Sequence, residues 1–163
     1  MMLISKKVAD LMNAQIGHEV GASMQYLQIA TYFDLNALKK LAEFFYKQSE
    51  EEREHALKFI HFLTEAGAEA HIPPIEAPKY DISSAEQAFQ MSVDWEVEVT
   101  GQIHNIVEMA TKERDYASLS FLQWFVNEQV EEVSSMETML QIVQLSGEKN
   151  LLMVEAYLTH NAA

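Results

Sequence analysis

Four glutamates, Glu19, Glu52, Glu96 and Glu132, each fall where a long helix would turn them into its own apolar stripe. The stripe around Glu52 reads Phe45, Gln48, Glu52, His55, Phe59, Phe62, in alternating steps of three and four. Around Glu132 it reads Leu122, Phe125, Gln129, Glu132, Met136, Met139, Val143. Met12, Ile16, Glu19, Ser23, Tyr26 and Ala30 share a third face, and Phe89, Glu96, Ile103, Ile106 and Ala110 a fourth. Burying a lone carboxylate is costly unless it is paired or binds a metal. No basic residue lies on these stripes to pair with, and like charges brought together push protons onto one another. One or two divalent cations resolve that conflict. Oxygen-rich ligation with a single imidazole suits iron or manganese, with zinc as a competitor. His55 follows Glu52 by three residues, so both can reach one ion from one helix face.

The same residues form an internal echo at an offset of 77 positions. Glu19 maps to Glu96, Phe44 to Phe121, Glu51 to Glu128, Glu52 to Gln129, Glu54 to Glu131 and His55 to Glu132. Two related hairpins meeting around a shared site would produce this pattern. The run Glu50–Glu54 taken alone reads as a solvated helix face, and stripe phase together with the echo is what singles out Glu52 and His55. Glu51, Glu128 and Glu131 lie beside the stripes, where solvated acids are the plainer alternative. Tyr26 reads as core with its hydroxyl on a carboxylate, and Trp124 as packing. His18, His61, His71, His104 and His160 have no matched partner and receive no role.

The elements that must position these groups are long helices. Glycine is sparse, and all three prolines, Pro73, Pro74 and Pro78, fall in one place. On either side the chain predicts helices over about 5–33, 37–65, 84–112 and 115–145, with a short fifth over 148–158. Gly67 and Gly147 stop the second and fourth, and Ser83 or Ser84 and Asp115 open the third and fourth. A helix of about 28 residues is roughly 42 Å long at 1.5 Å per residue. The connection between the second and third helices, extended at 3.3 Å per residue, reaches roughly 56 Å and so runs the length of a bundle. The expected fold is all-α: two antiparallel helical hairpins joined into a four-helix bundle by one long crossover, with a short fifth C-terminal helix.

Composition narrows the function. At 163 residues, 48% hydrophobic and 22% charged, the chain favours one domain spanning 1–163 with a real core. Asp and Glu number 25 against 11 Lys and Arg, a formal charge of -14. That balance excludes a phosphate-neutralising surface, so neither nucleic acid nor anionic membrane is an expected partner, and it suits attraction of cations. With no cysteine, disulfides, thiolate zinc sites and rubredoxin-type iron are excluded. Met1–Lys7 has lysines without a following apolar stretch, and nothing approaches a bilayer span, so a cytoplasmic protein is expected.

The constellation resembles the ferritin family, and within it the prokaryotic non-haem ferritins. The segments that carry the likeness are Asn13–Glu19 with Tyr26, Glu51–His55, Trp95-Glu96 and Phe121–Glu132. Di-iron carboxylate bundles of this kind take a Glu from each of two helices and a Glu-x-x-His from each of the others. Here the fourth helix offers Gln129-Val130-Glu131-Glu132 instead. The resemblance implies a ferritin-like bundle and a ferroxidase centre of two irons. Glu19, Glu52 and His55 match the ligands of the first, with Glu52 bridging; Glu96 and Glu132 match those of the second, with Gln129 close by. Glu51, Glu128 and Glu131 match a third, weaker iron site, and Tyr26 and Trp124 match aromatic residues that can donate electrons.

The resemblance further implies oxidation of Fe(II) by dioxygen or hydrogen peroxide, and a homo-oligomeric cage of about 24 subunits storing a ferric mineral. Val133 stands where many relatives carry another glutamate, which alters the path from centre to cavity. Bacterioferritin would need Glu-x-x-His on the fourth helix and a methionine where Arg53 stands, so no haem is expected. Two rivals remain at this point: a di-iron oxidase or peroxidase that stores nothing, and a bundle in which metal is purely structural.

Overall fold

A computed structural model describes residues 2–161, and among these the chain forms five α-helices, one 3-10 turn and no strand. The helices are α1 (Lys6–Leu35), α2 (Lys39–Glu65), α3 (Ala85–Glu113), α4 (Tyr116–Ser146) and α5 (Leu151–Asn161). The first four agree with the sequence reading to within two residues. The fifth differs: Glu148–Asn150 is a 3-10 turn, and the helix proper starts at Leu151 and runs on to Asn161. Gly147, at φ 71°, breaks the chain direction there, and Glu148 is held elsewhere.

Each helix end has an identifiable cause. Ser84 caps α3 by accepting from Gln87 N at 3.0 Å, while Gln87 Oε1 accepts from both Ser83 N and Ser83 Oγ. Asp115 caps α4 through Ser118 N at 3.0 Å and with its other oxygen accepts from Ser5 N at 2.8 Å, pinning the start of α1. α1 turns into α2 through the three residues Asn36, Ala37 and Leu38, with Ala37 at a left-handed φ of 60°. The start of α2 has no cap of its own. Glu155 of α5 supplies one, accepting from Lys40 N at 3.0 Å and Leu41 N at 2.8 Å. Glu148 does the same for α3, accepting from Ala85 N and Glu86 N. The C-terminal segment thus places two carboxylates on two helix N-termini, where orphan amides and the helix dipole favour negative charge.

The crossover, residues 66–84, lies along α1 on a stripe spaced by four. Asn13 bonds Glu69 O at 3.0 Å and His71 N; Gly17 receives the Pro73 ring; Gly21 lies beside Ile75; Gln25 brackets Lys79, donating to its O at 3.0 Å and accepting from its N at 2.8 Å. A Cβ at Gly17 would collide with the Pro73 ring, so this glycine is what lets the loop descend onto the helix. Two apolar clusters fill the bundle on either side of its middle. One gathers Phe33, Phe45, Phe89 and Met136 with Leu151 and Val154 of α5; the other gathers Met12, Ile16, Phe59, Leu63, Ile103 and Phe125. Between them sits a buried polar layer.

Candidate metal centre

That layer contains the residues singled out above. Glu19 of α1, Glu52 and His55 of α2, Glu96 of α3, and Gln129 and Glu132 of α4 are all buried, none more than 6% exposed. They form two groups whose ligating atoms lie within 4.8 Å of one another: Glu19–Glu52–His55 and Glu52–Glu96–Glu132. Glu52 belongs to both. His55 Nδ1 stands 3.4 Å from Glu52 Oε2 and 3.9 Å from Glu19 Oε2, so the imidazole edge faces the first group.

Glu19 and Glu96 are each held by one oxygen and open at the other. Gln15 Nε2 donates to Glu19 Oε1 at 2.9 Å, and the Tyr26 hydroxyl donates to Glu96 Oε1. Glu19 Oε2, Glu96 Oε2 and His55 Nδ1 are buried with no hydrogen-bond partner. Buried polar atoms are almost always satisfied, and an orphan acceptor costs its full desolvation penalty. Three of them in one layer, facing the two ligand groups, fit electrophilic cations. This donor set, carboxylate oxygens with one imidazole nitrogen, suits iron.

Burial sets the electrostatics. It pushes the Glu19 and Glu52 carboxyls well above the usual range, helped by Glu52 for the first and Glu96 for the second. Glu96 rises through the same desolvation, offset by the Tyr26 hydroxyl, His55 and the Gln129 amide. Glu132 is pushed up to about 8, by burial first and the charge of Glu96 second. Burial and the Glu96 carboxylate also raise the Tyr26 phenol. Without a cation, the layer therefore holds protons that solvated carboxyls would have released.

A third group contains one of the three acids expected at a weaker site. His55, Glu128 and Glu132 come within 4.8 Å of one another, and no such group among the described residues includes Glu51 or Glu131. Glu51 instead bonds Gln48 and lies 3.6 Å from Lys47 Nζ, while Glu131 is exposed. His55 Nε2 stands 3.9 Å from Glu128 Oε1. A neutral imidazole offers one lone pair, so a cation taken at Nδ1 would leave the Nε2–H on the side of the Glu128 carboxylate, beyond hydrogen-bond distance. An open cavity of about 290 Å³ leads outward here, walled by Glu50, Glu51, Glu54 and Glu128. Trp124 sits on its rim, 40% exposed, edge-on to His55 at 5.4 Å and under Lys58 Nζ at 4.5 Å.

A model of the ferritin-like domain matches residues 9–146, which holds all four long helices apart from the first three residues of α1. The chain belongs to the ferritin family. It is 38% identical to a bacterial non-heme ferritin of Staphylococcus aureus over 146 residues, covering 90% of this chain and 88% of that one. A bacterial non-heme ferritin of Staphylococcus saprophyticus is 34% identical over the same share of this chain and 87% of its own. Among solved structures, an open-pore ferritin from the archaeon Archaeoglobus fulgidus superposes with a TM-score of 0.92 at 38% identity, covering 97% of this chain and 98% of that one.

Two members of the polar layer of this ferritin chain escaped the sequence reading. Gln15 precedes Glu19 by four residues and Thr100 follows Glu96 by four, so each is one helical turn from a buried acid. That spacing was the available signal. It was hidden because an amide or hydroxyl at a stripe edge is commonplace until its acid partner is known to be buried.

Proposed function

We propose that this chain oxidises Fe(II) at the Glu19, Glu52, His55, Glu96, Glu132 centre and that assembled copies store the ferric product. The observation that carries this reading is the sharing of Glu52 between two ligand groups, which suits a pair of ions bridged by one carboxylate. Fe(II) is substrate here. Two Fe(II) give up one electron each, and dioxygen with two protons becomes hydrogen peroxide, so charge and atoms balance. The protein's share is to hold both ions beside one another in a dry layer, with carboxylates free to shift as charge rises. Glu128, 3.9 Å from His55 Nε2, places negative charge behind the imidazole that faces the first ion. Glu128 and Glu132 also offer carboxylate oxygens to a weaker third position, and the acids Glu50, Glu51 and Glu54 draw cations towards it. Tyr26, its hydroxyl on Glu96, is suited to give an electron and a proton when iron alone falls short.

Storage requires assembly, and the exterior of the chain supports one. Leu151 and Val154 of α5 face the core while Leu152 and Met153 are 75% and 66% exposed, and Leu145 is 88% exposed. A homo-oligomeric cage covers such surface.

The test loads metal-free protein with anaerobic Fe(II) at rising ratios, admits oxygen, and counts iron oxidised rapidly and iron retained. Fast oxidation saturating near two or three irons per chain, with far more retained on slow addition, is the expected result. Glu52→Ala should remove the fast phase while the assembly stays intact, because it removes the carboxylate common to both ions. Unchanged kinetics in that variant would overturn the centre, and saturation with nothing further retained would overturn storage.

A further inference from the structure

Thr100, one turn after Glu96 on α3, has one hydroxyl proton and two acceptors in reach. Its Oγ1 lies 2.8 Å from the backbone oxygen of Glu96 and 3.0 Å from Gln129 Oε1 on α4. One proton serves one acceptor at a time, and the choice turns the Gln129 amide in opposite directions. With the proton on Gln129 Oε1, the amide nitrogen is turned away from Thr100 towards the carboxylate side of the layer, where the Gln129 amide favours the charged form of Glu96. With the proton on the Glu96 carbonyl, Thr100 Oγ1 becomes an acceptor. A turned amide then donates to it from Nε2 and offers Oε1 to the carboxylate side. The first arrangement suits a layer holding carboxyls alone, where a donor is wanted. The second suits a layer holding a divalent cation, where an oxygen is wanted.

We propose that Thr100 is a positioning residue for the second ion. By donating in one state and accepting in the other, its hydroxyl lets the Gln129 amide turn between stabilising the empty Glu96 carboxylate and presenting an oxygen to a cation among Glu52, Glu96 and Glu132. This inference rests on the metal-centre reading given above. Gln129 is 3% exposed, so water is not at hand to take over either role, and an unmatched amide would be left orphaned. Valine at position 100 fills the same volume with neither capacity; serine keeps both.

The experiment is anaerobic Co(II) titration of the metal-free assembly, followed by d–d absorption and by competition with a chelator. It compares the unaltered protein with Thr100→Val and Thr100→Ser. Thr100→Val should weaken the second Co(II) about tenfold and leave the first, at Glu19–Glu52–His55, within about twofold. Thr100→Ser should bind both within about threefold of the unaltered protein. Equal weakening of both positions would mean a merely structural threonine and would overturn the inference. So would no weakening in Thr100→Val, or a Thr100→Ser as defective as the valine. If Thr100→Val does not assemble, Thr100→Ala removes the same two capacities with less branching and is judged by the same outcomes. Failure of the unaltered protein to bind two Co(II) overturns the centre itself, which separates that failure from failure of the Thr100 inference.

Discussion

Cation binding at this centre should expel protons, and by an amount that can be worked out. The perturbation is addition of Zn(II), which is redox-silent, to metal-free protein at fixed pH. Glu132 has its carboxyl pushed up to about 8, so at pH 7 it carries about 0.9 of a proton and at pH 9 about 0.1. A cation among Glu52, Glu96 and Glu132 needs the carboxylate form, so binding at pH 7 releases about one proton from Glu132 alone. Glu19, Glu52 and Glu96 are raised as well, so the total per chain should exceed that figure. Apparent affinity at this position should therefore climb about tenfold per pH unit below 8 for each proton displaced. Calorimetry in buffers of differing ionisation enthalpy counts the protons directly. Release of fewer than about 0.3 protons at pH 7 would show the carboxyls already ionised in the empty layer, and the desolvation argument would fail.

The same shifts fix the pH dependence of stability in the metal-free state. These carboxyls titrate higher folded than unfolded, so the native state binds the extra protons. The contribution of Glu132 is fully present below about pH 4.5 and is lost as pH rises through about 8, and Glu19, Glu52 and Glu96 act in the same direction. For Glu132 the limit is on the order of 5 kcal/mol, reached only if no neighbour relaxes as it ionises. The melting temperature of metal-free protein should fall from pH 6 to pH 9, and Zn(II) should restore it.

Other outcomes follow from single contacts. Tyr26→Phe leaves Glu96 Oε1 without its donor, so the second cation should bind more weakly at neutral pH, with the first unchanged; Co(II) titration checks this. Gly17→Ala drives a methyl into the Pro73 ring and should cost about 1–3 kcal/mol, whereas Gly21→Ala meets Trp95 at 3.6 Å and should be neutral or stabilising; thermal melts of the pair decide it. Glu155→Ala strips the amides of Lys40 and Leu41 of their acceptor and should cost about 1–2 kcal/mol. It should also expose the segment around Gly147 to limited proteolysis.

How far the sequence could be read depends on which interactions have a period. The four long helices and the acids within them were legible because burial repeats every three to four residues, and Glu19, Glu52, Glu96 and Glu132 keep phase with their apolar neighbours. The caps at Ser84 and Asp115 were legible because capping is local. What escaped depends on contacts between distant segments. Glu148 and Glu155 look like ordinary surface acids until α5 docks on the starts of α3 and α2. The Asn13, Gly17, Gly21, Gln25 stripe has its own period of four, but its meaning comes from a loop some sixty residues away. Of the acids expected at a third site, Glu51 and Glu131 fall outside the ligand groups for a related reason. The 77-residue echo relates positions between hairpins, and it does not set the rotamers or the local competitors at each one. Glu51 has Gln48 and Lys47 within its own helix as partners, whereas Glu128 faces His55 and Glu132. A repeat in the chain therefore predicts where ligands can stand, and the side chains already claiming each oxygen decide which of them remain free for a cation.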